Sequence, residues 1–343
     1  MDRNRLESLL ARFPGLTVLV VGDFFLDKYL LIDRGLAEIS LETGLEAHQV
    51  VGVTCSPGAA GTVTNNLRAL GVNLIALGVI GDDGEGYELK RALRANGTDI
   101  VLLIECADRF TPTYTKPMSR ERDGARRELN RLDIKNRAPL PADAEELVLA
   151  RLSEAMPRVN GVVIADQVPE TNCGVITDRV RAGLCAQARA HDNVVFAADS
   201  RERAGLFRDV ILKPNAREVV RAVQPGGDAA DRRSVEACGL ALAARTRKPV
   251  VVTLGADGIL LFDAGRAEHV ATRPASGAID PVGAGDSVMA GLVSALCAGA
   301  SLREAAHIGN LVASVTIQQI GTTGSASPEQ VLSEFDRQQP FPV

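Results

Sequence analysis

Short apolar runs rich in valine and isoleucine recur along most of the chain, at residues 17–21, 73–80, 161–165, 194–198, 210–212 and 250–254. None alternates with polar residues, which is the pattern of strands covered on both faces. Helical patterns lie between them, for example at 62–70, 84–95 and 175–190, and a short amphipathic helix opens the chain. Strand–helix–strand units in series predict an α/β fold. Its doubly wound, mostly parallel sheet carries helices on both faces and right-handed crossovers.

Two stretches break this rhythm. Residues 28–52 and 111–133 read as extended segments inserted between the early units, with β-prone Thr113, Tyr114 and Thr115. The polar run from Arg120 to Gly124 contains an Asp-Gly pair suited to a hairpin tip. The expectation is one domain over 1–343 with a small β-lid built from the two insertions; ordinary surface loops are the alternative. The Gly226-Gly227 pair reads as a loop, not a linker.

Composition narrows the functional classes. Of 343 residues, 46% are apolar, enough for a large core, and only 3% are aromatic with no tryptophan. That disfavours stacking platforms for nucleic acid. The net charge of −5 is spread without blocks, so nothing draws the chain to DNA, RNA or an anionic membrane. Cys55, Cys106, Cys173, Cys185, Cys238 and Cys297 stand far apart and form no C-x-x-C pair, as expected of reduced thiols used as small hydrophobes. No signal-peptide pattern and no apolar run of roughly 18 residues is visible, which predicts a soluble, cytoplasmic protein.

The most informative segment is Asp280-Pro281-Val282-Gly283-Ala284-Gly285-Asp286-Ser287, which feeds an unbroken apolar helix over 288–298, capped by Gly299. Gly283 and Gly285 let the backbone approach a ligand, and the free amides of a first helical turn attract phosphate. Asp286 is either a helix-capping residue or a general base for a hydroxyl attacking a phosphoryl group. Lys213-Pro214-Asn215-Ala216-Arg217-Glu218 follows a strand and opens a helix. Its Asn215 and Glu218 form a capping box or supply hard oxygen ligands for Mg²⁺. Thr253, Gly255 and Gly258 lie where a strand runs into a glycine-rich loop that suits a nucleotide. In this order along one α/β chain, the three motifs point to phosphoryl transfer.

Together these residues resemble the ribokinase-like (PfkB) family of carbohydrate kinases, over nearly the whole chain. The family's D-T-x-G-A-G-D signature stands here as Asp280 to Asp286, its N-x-x-E motif as Asn215 and Glu218, and its nucleotide loop as Thr253, Gly255 and Gly258. The resemblance implies a Mg·ATP-dependent enzyme with Asp286 as base and the Gly283-Ala284-Gly285 turn as anion hole. It also implies Asp27, with Gly58, as a sugar ligand at the end of the first strand beside Asp23, and Asn310 beside the adenine. Asp280, with the Gly321-Thr322-Thr323-Gly324 loop, is similar to a monovalent-cation (K⁺) site of several members.

Within the family the nearest likeness is to the heptose-phosphate kinases (D-glycero-D-manno-heptose 7-phosphate), through Val21-Gly22-Asp23, Glu38-Ile39-Ser40, Gly78–Asp83, Thr115-Lys116 and Arg131-Leu132-Asp133. Lys116 and Arg131 would then meet the far end of a phosphorylated sugar; solvated lid charges are the alternative. Departures fall at the sugar end: Ala59 and Thr62 replace a glycine and an asparagine of the family pattern, Asp166-Gln167 stands for an Asp-Tyr pair, and Pro281 for a threonine. A hydroxyl cannot replace both donor and acceptor of an amide, so the sugar contacts of Thr62 differ. The chain stops soon after Phe335, so the second, nucleotidyltransferase domain of some heptose kinases is not expected. A homodimer through the lid is expected from the resemblance and from its apolar face at 29–32. Other acceptors (ribose, fructose, a hexose or a nucleoside) and a non-catalytic sugar-binding relative stay open.

Overall fold

The computed structural model describes residues 1–120, 126–275, 277–321 and 323–338. Glu121–Gly124 of the expected hairpin tip, and Thr322, lie outside the described residues. Among those described, the apolar runs assemble one central sheet of eight strands. Its order is Arg266–Val270, Ile259–Asp263, Val250–Thr253, Ile211–Leu212, Val195–Ser200, Gly161–Asp166, Thr17–Gly22 and Asn73–Leu77. The strands from Val250–Thr253 to Asn73–Leu77 run parallel; the two at the other edge are antiparallel.

Alternate side chains of each strand enter two apolar layers. Val18, Val20, Val163, Ala197 and Val251 pack against the helices Ala60–Ala69, Ala284–Cys297 and Leu302–Thr316. Leu19, Val21, Val162, Ile164, Ala198 and Val252 pack on the other side against Ala142–Ala155, Asp178–Ala190 and Arg232–Thr246. Both faces are covered, which is why the strands lack polar alternation. The expected strand at 73–80 is two: Asn73–Leu77 joins the main sheet, whereas Val79–Gly81 pairs with Ile104–Cys106. The chain turns at Gly78 because the two halves serve different partners.

A second sheet stands apart from the first. Phe24–Ile39 pairs antiparallel with Glu46–Ala59 and parallel with Thr113–Arg120, which also binds Arg126–Glu128 and Leu132–Ile134. Its strands start only one residue after the central strand Thr17–Gly22 and return directly into the helix Ala60–Ala69. The sheet is therefore anchored at the carboxyl ends of the parallel strands, where open α/β sheets bind ligands. Leu36, Ile39, Val50, Val51 and Val53 are exposed on it. All six cysteines are unpaired, and no described helix is long and apolar enough to cross a membrane.

Candidate active site

The turn before the Ala284–Cys297 helix is held by the Asp280 side chain and by the 317–321 segment. Asp280 accepts from the amide of Val282 at 3.1 Å and from that of Gly321 at 3.3 Å. The amide of Asp280 donates to the carbonyl of Ile317 at 2.8 Å. Gly283 takes φ +81°, the left-handed conformation that glycine adopts without penalty. Thr62 and Thr323 stand beside it, 3.5 and 3.4 Å from where a β-carbon would be, an ordinary contact distance, so it is the backbone conformation that calls for glycine. Helix geometry then leaves first-turn amides over: Ala284 donates to Pro281 and Ser287 to Gly283, while Gly285 and Asp286 find no acceptor among the described residues. Two free amides at a helix N-terminus form a nest for an anion.

A buried polar chain fixes this helix end. Ser287 Oγ donates to Asn66 Oδ1 at 3.0 Å, Thr316 Oγ1 donates to Ser287 Oγ at 2.9 Å, and Asn66 Nδ2 donates to the Thr62 carbonyl at 3.0 Å. Three helices thereby share one set of bonds around the turn. Asn66 does not stand out in the sequence; only its 1% exposure marks it.

Asp286 sits in the first helical turn, only partly covered by its neighbours yet deep among protein atoms. Burial pushes its carboxyl up to about 7; Asp199 adds to the rise, and Lys213 and Arg201 pull against it. A carboxylate so placed can take up a proton near neutral pH. Lys213 is 3% exposed and pairs with Asp199 at 2.9 Å. Neither stands out in the sequence as a site residue. The available signal was position, because Asp199 lies near the carboxyl end of a parallel strand and Lys213 follows the end of another.

Asn215 and Glu218 do form the capping box. Glu218 N donates to Asn215 Oδ1 at 3.0 Å, and Asn215 N donates to Glu218 Oε2 at 2.8 Å. The other oxygen of Glu218 has no hydrogen-bond partner among the described residues, so capping and cation binding are compatible. Burial pushes the Glu218 carboxyl up, with Asp199 adding to it. Asp199, Glu218 and Asp286 gather here around Lys213, with Arg201 and Arg221 also acting on them. No set of three or more candidate ligands is preassembled among the described residues. The donor set therefore fits Mg²⁺ carried in by phosphates and water better than an all-protein cage.

Beside the turn opens a cleft of about 460 Å³ lined by Thr253, Gly255, Gly258, Ala284, Gly285 and Asn310. Asn215 bridges to Thr253, a lining residue, which puts the capping box next to the cleft. Ile259, Ile279, Val288 and Ile317 give the cleft apolar walls. The Asn310 side chain donates to the Val270 carbonyl at 3.1 Å, which fixes a wall of the cleft and leaves its amide oxygen for a ligand.

On the opposite side of the turn stands the second sheet. Asp27 Oδ1 lies 2.9 Å from Lys116 Nζ, and Lys116 also donates to Tyr29 Oη at 3.1 Å. Burial would push the ammonium down, but Asp27 and Tyr29 hold it above the usual lysine range. A β-carbon on Gly58 would come within 2.6 Å of Asp27 Oδ2, so only glycine leaves the carboxylate in place. Arg131 pairs with Asp133 at 2.6 Å and lies 4.1 Å from the centre of the Tyr114 ring. Tyr114 is the strand neighbour of Asp27, which brings Asp27, Lys116 and Arg131 to one surface.

Asp23 and Asp166 are not brought there. Asp23 is 3% exposed and accepts the amides of Gln167, Val168 and Val175 at 2.8, 3.0 and 2.7 Å. Asp166 accepts from Ser200 Oγ at 2.6 Å and faces Arg203. Burial and the Asp23 charge push its carboxyl up to about 7. Asp23 thus ties the 167–175 loop to a strand end, and Asp166 ties Ser200 and Arg203 to another.

Comparison with known proteins gives these positions a context. The family model described as pfkB family carbohydrate kinase matches residues 28–330. Bifunctional protein HldE of Geotalea uraniireducens is 31% identical over 99% of this chain; the chain spans about two thirds of that relative's length, 67%. Among solved structures, phosphofructokinase-2 from Escherichia coli in complex with potassium superposes with a TM-score of 0.70 at 18% identity, covering 94% of this chain and 99% of that one. Arabidopsis thaliana ribokinase complexed with ribose and ATP gives 0.68 at 19%, covering 93% and 98%. Those two likenesses establish a ribokinase-like fold.

Proposed function

Because this chain belongs to the pfkB family of carbohydrate kinases, we propose that it transfers the terminal phosphoryl group of ATP to a hydroxyl of an already phosphorylated sugar, heptose 7-phosphate first among them. The observation that carries the proposal is the position of Asp286. It occupies the helix end whose Ala284 and Gly285 line the 460 Å³ cleft, and that turn abuts Thr62 at the root of the second sheet. ATP takes the cleft, with its phosphate tail running to the amides of Gly285 and Asp286. Mg²⁺, held near Glu218 and Asn215, would neutralise phosphate charge. Asp27 accepts hydroxyls of the sugar, and Lys116 and Arg131 hold its distal phosphate. The second sheet closes over both and excludes water that would otherwise hydrolyse ATP. Asp286 removes the proton of the attacking hydroxyl, and transfer is in line without a covalent intermediate.

The heptose assignment draws on the HldE relative and on the two lid cations. A panel of acceptors with ADP-release detection tests it: strong turnover on sugar 7-phosphates is expected. Preference for ribose, fructose, a hexose or a nucleoside would reassign the acceptor. Absence of ADP release with every acceptor, despite ATP binding, would make the chain a sugar-binding relative. A cytoplasmic location accords with an ATP-consuming reaction. The Asp280 turn, with the Ile317 and Gly321 backbone around it, is the position proposed for K⁺.

The raised Asp286 carboxyl sets a pH dependence. The ionised form is the active one and its folded value is about 7, so activity is lost as pH falls through neutrality. kcat/KM for the acceptor should drop about tenfold per pH unit on the acid side. A profile that stays flat down to about pH 5 would contradict the base assignment.

The exposed Leu36, Ile39, Val50, Val51 and Val53 on the second sheet are the face proposed for homodimerisation. Sedimentation at micromolar concentration should show a dimer. Only monomer would remove this part of the proposal.

A further inference from the structure

The 167–175 loop, tied down by Asp23, closes a cavity of about 20 Å³ against the root of the second sheet. Phe25 and Tyr114 form an apolar wall of it, their ring centres 5.2 Å apart and edge to face. Both belong to the face of the second sheet that carries Asp27. Phe25 precedes Asp27 by two strand positions, and Tyr114 is the register partner of Asp27. A β-carbon on Gly58 would meet Phe25 and Asp27 together. The cavity therefore continues the surface on which Asp27, Lys116 and Arg131 gather.

Most polar side chains around it are spent on the fold. Asp23 accepts its three amides. Arg109 donates to the carbonyls of Ala138 and Pro139 at 2.7 and 3.2 Å, and to that of Cys173. Asn136 exchanges two bonds with the Phe110 backbone, at 3.0 and 2.8 Å. Two charged groups are left. Glu170 Oε2 is buried and has no hydrogen-bond partner among the described residues. Lys135 pairs with no carboxylate among them, and its Nζ lies 6.0 Å from the centre of the Tyr114 ring. Lys116 and Arg131, by contrast, are already matched by Asp27 and Asp133.

Folding alone does not account for this pair. A buried carboxylate oxygen without a donor costs stability, and the ammonium that lines the same cavity does not bond to it. A carboxylate only accepts and an ammonium only donates, so a guest that does both satisfies the two. An alcohol is such a guest: its O–H donates to Glu170 and its oxygen accepts from Lys135. A phosphate is not, because it would meet Glu170 as a like charge. A cavity of this size admits one water-sized group. That fits a single hydroxyl of a sugar.

We propose that Glu170 and Lys135 form a specificity-determining subsite that reads one hydroxyl of the acceptor, distinct from the one Asp286 deprotonates. This rests on the kinase proposal above and narrows its acceptor class to sugars with a free hydroxyl at the end held beside Tyr114. The phosphate of such a sugar stays with Lys116 and Arg131.

The test reads sugar binding by calorimetry with Mg·AMP-PNP present, using heptose 7-phosphate, fructose 6-phosphate and ribose as probes. The full chain is compared with Glu170→Ala and Lys135→Met. Affinity for the tightest probe should fall about tenfold or more in each variant, with AMP-PNP within about twofold. Oε2 has no donor in the free protein, so Glu170→Ala should leave the melting temperature unchanged or raise it. Glu170→Gln keeps the shape and an acceptor oxygen, and should restore most of the affinity. A monodeoxy analogue of the tightest probe that lacks the hydroxyl read here should bind the unaltered protein about tenfold more weakly than the parent sugar. The same analogue should bind Glu170→Ala as well as the parent sugar does. Unchanged sugar affinity in both variants, or a melting temperature that falls along with it, would overturn the subsite and leave Glu170 holding a structural water. Sugar binding that depends on Glu170, with no ADP release for any acceptor, sinks the kinase proposal and keeps the subsite. Turnover with an unchanged acceptor KM in both variants sinks the subsite alone. If none of the three probes binds, the acceptor assignment and the subsite fail together.

Discussion

Asp286→Asn is expected to lower turnover at least about 10²-fold while leaving nucleotide affinity within a few-fold. The amide keeps the size of the carboxyl and disturbs neither the backbone amides of the turn nor the Ser287–Asn66–Thr316 bonds beneath it. ATP should therefore bind as before. What disappears is the group that takes the hydroxyl proton, and with it the acid limb of the pH profile set by a carboxyl at about 7. Initial rates at saturating ATP, with calorimetry for the nucleotide, separate the two effects. Near-normal turnover would return Asp286 to a helix-capping role.

Asp27→Ala is expected to act at the other end of the reaction. A carboxylate that accepts two sugar hydroxyls contributes about 1.5–3 kcal/mol through each bond, so its loss should lower kcat/KM for the acceptor by about 10²-fold or more, mostly through KM. ATP affinity should not change, because Asp27 belongs to the second sheet and not to the cleft. The variant also leaves Lys116 without its 2.9 Å partner. Asp27→Asn separates that effect: its amide oxygen still accepts from Lys116, so the melting temperature holds while the acceptor KM still rises. An unchanged acceptor KM in both variants would remove Asp27 from the sugar site.

The fold was largely legible, and the reasons are local. Runs such as 17–21, 161–165 and 250–254 are apolar at every position because both sheet faces are covered, and they became strands within a residue or two of the expected bounds. The hairpin Ile259–Asp263 and Arg266–Val270 went unread. Its signal was the Ala264-Gly265 turn, both residues at positive φ, placed directly after the glycine loop that drew attention to a nucleotide. The motif residues of the turn and the cleft could be named because small residues before an apolar helix have few uses. Asp23 and Asp27 could not be told apart by pattern. They sit four residues apart on either side of the passage from one sheet to the other, and only the three amides arriving from residues 167–175 assign Asp23 to structure. The Lys213–Asp199 pair was unreadable for a similar reason. It depends on two parallel strands lying side by side, Ala198 opposite Leu212, and strand order leaves no mark on either segment alone.

The central claim is that the helix end at Ala284 holds the phosphoryl group to be transferred, beside a carboxylate that deprotonates the acceptor. A crystal structure with Mg·AMP-PNP tests it most directly. The terminal phosphate should lie within about 3 Å of the Gly285 and Asp286 amide nitrogens, with the adenine in the cleft lined by Thr253, Gly258 and Asn310. A phosphate tail bound elsewhere, or a helix end covered by its own chain in the complex, would contradict the account.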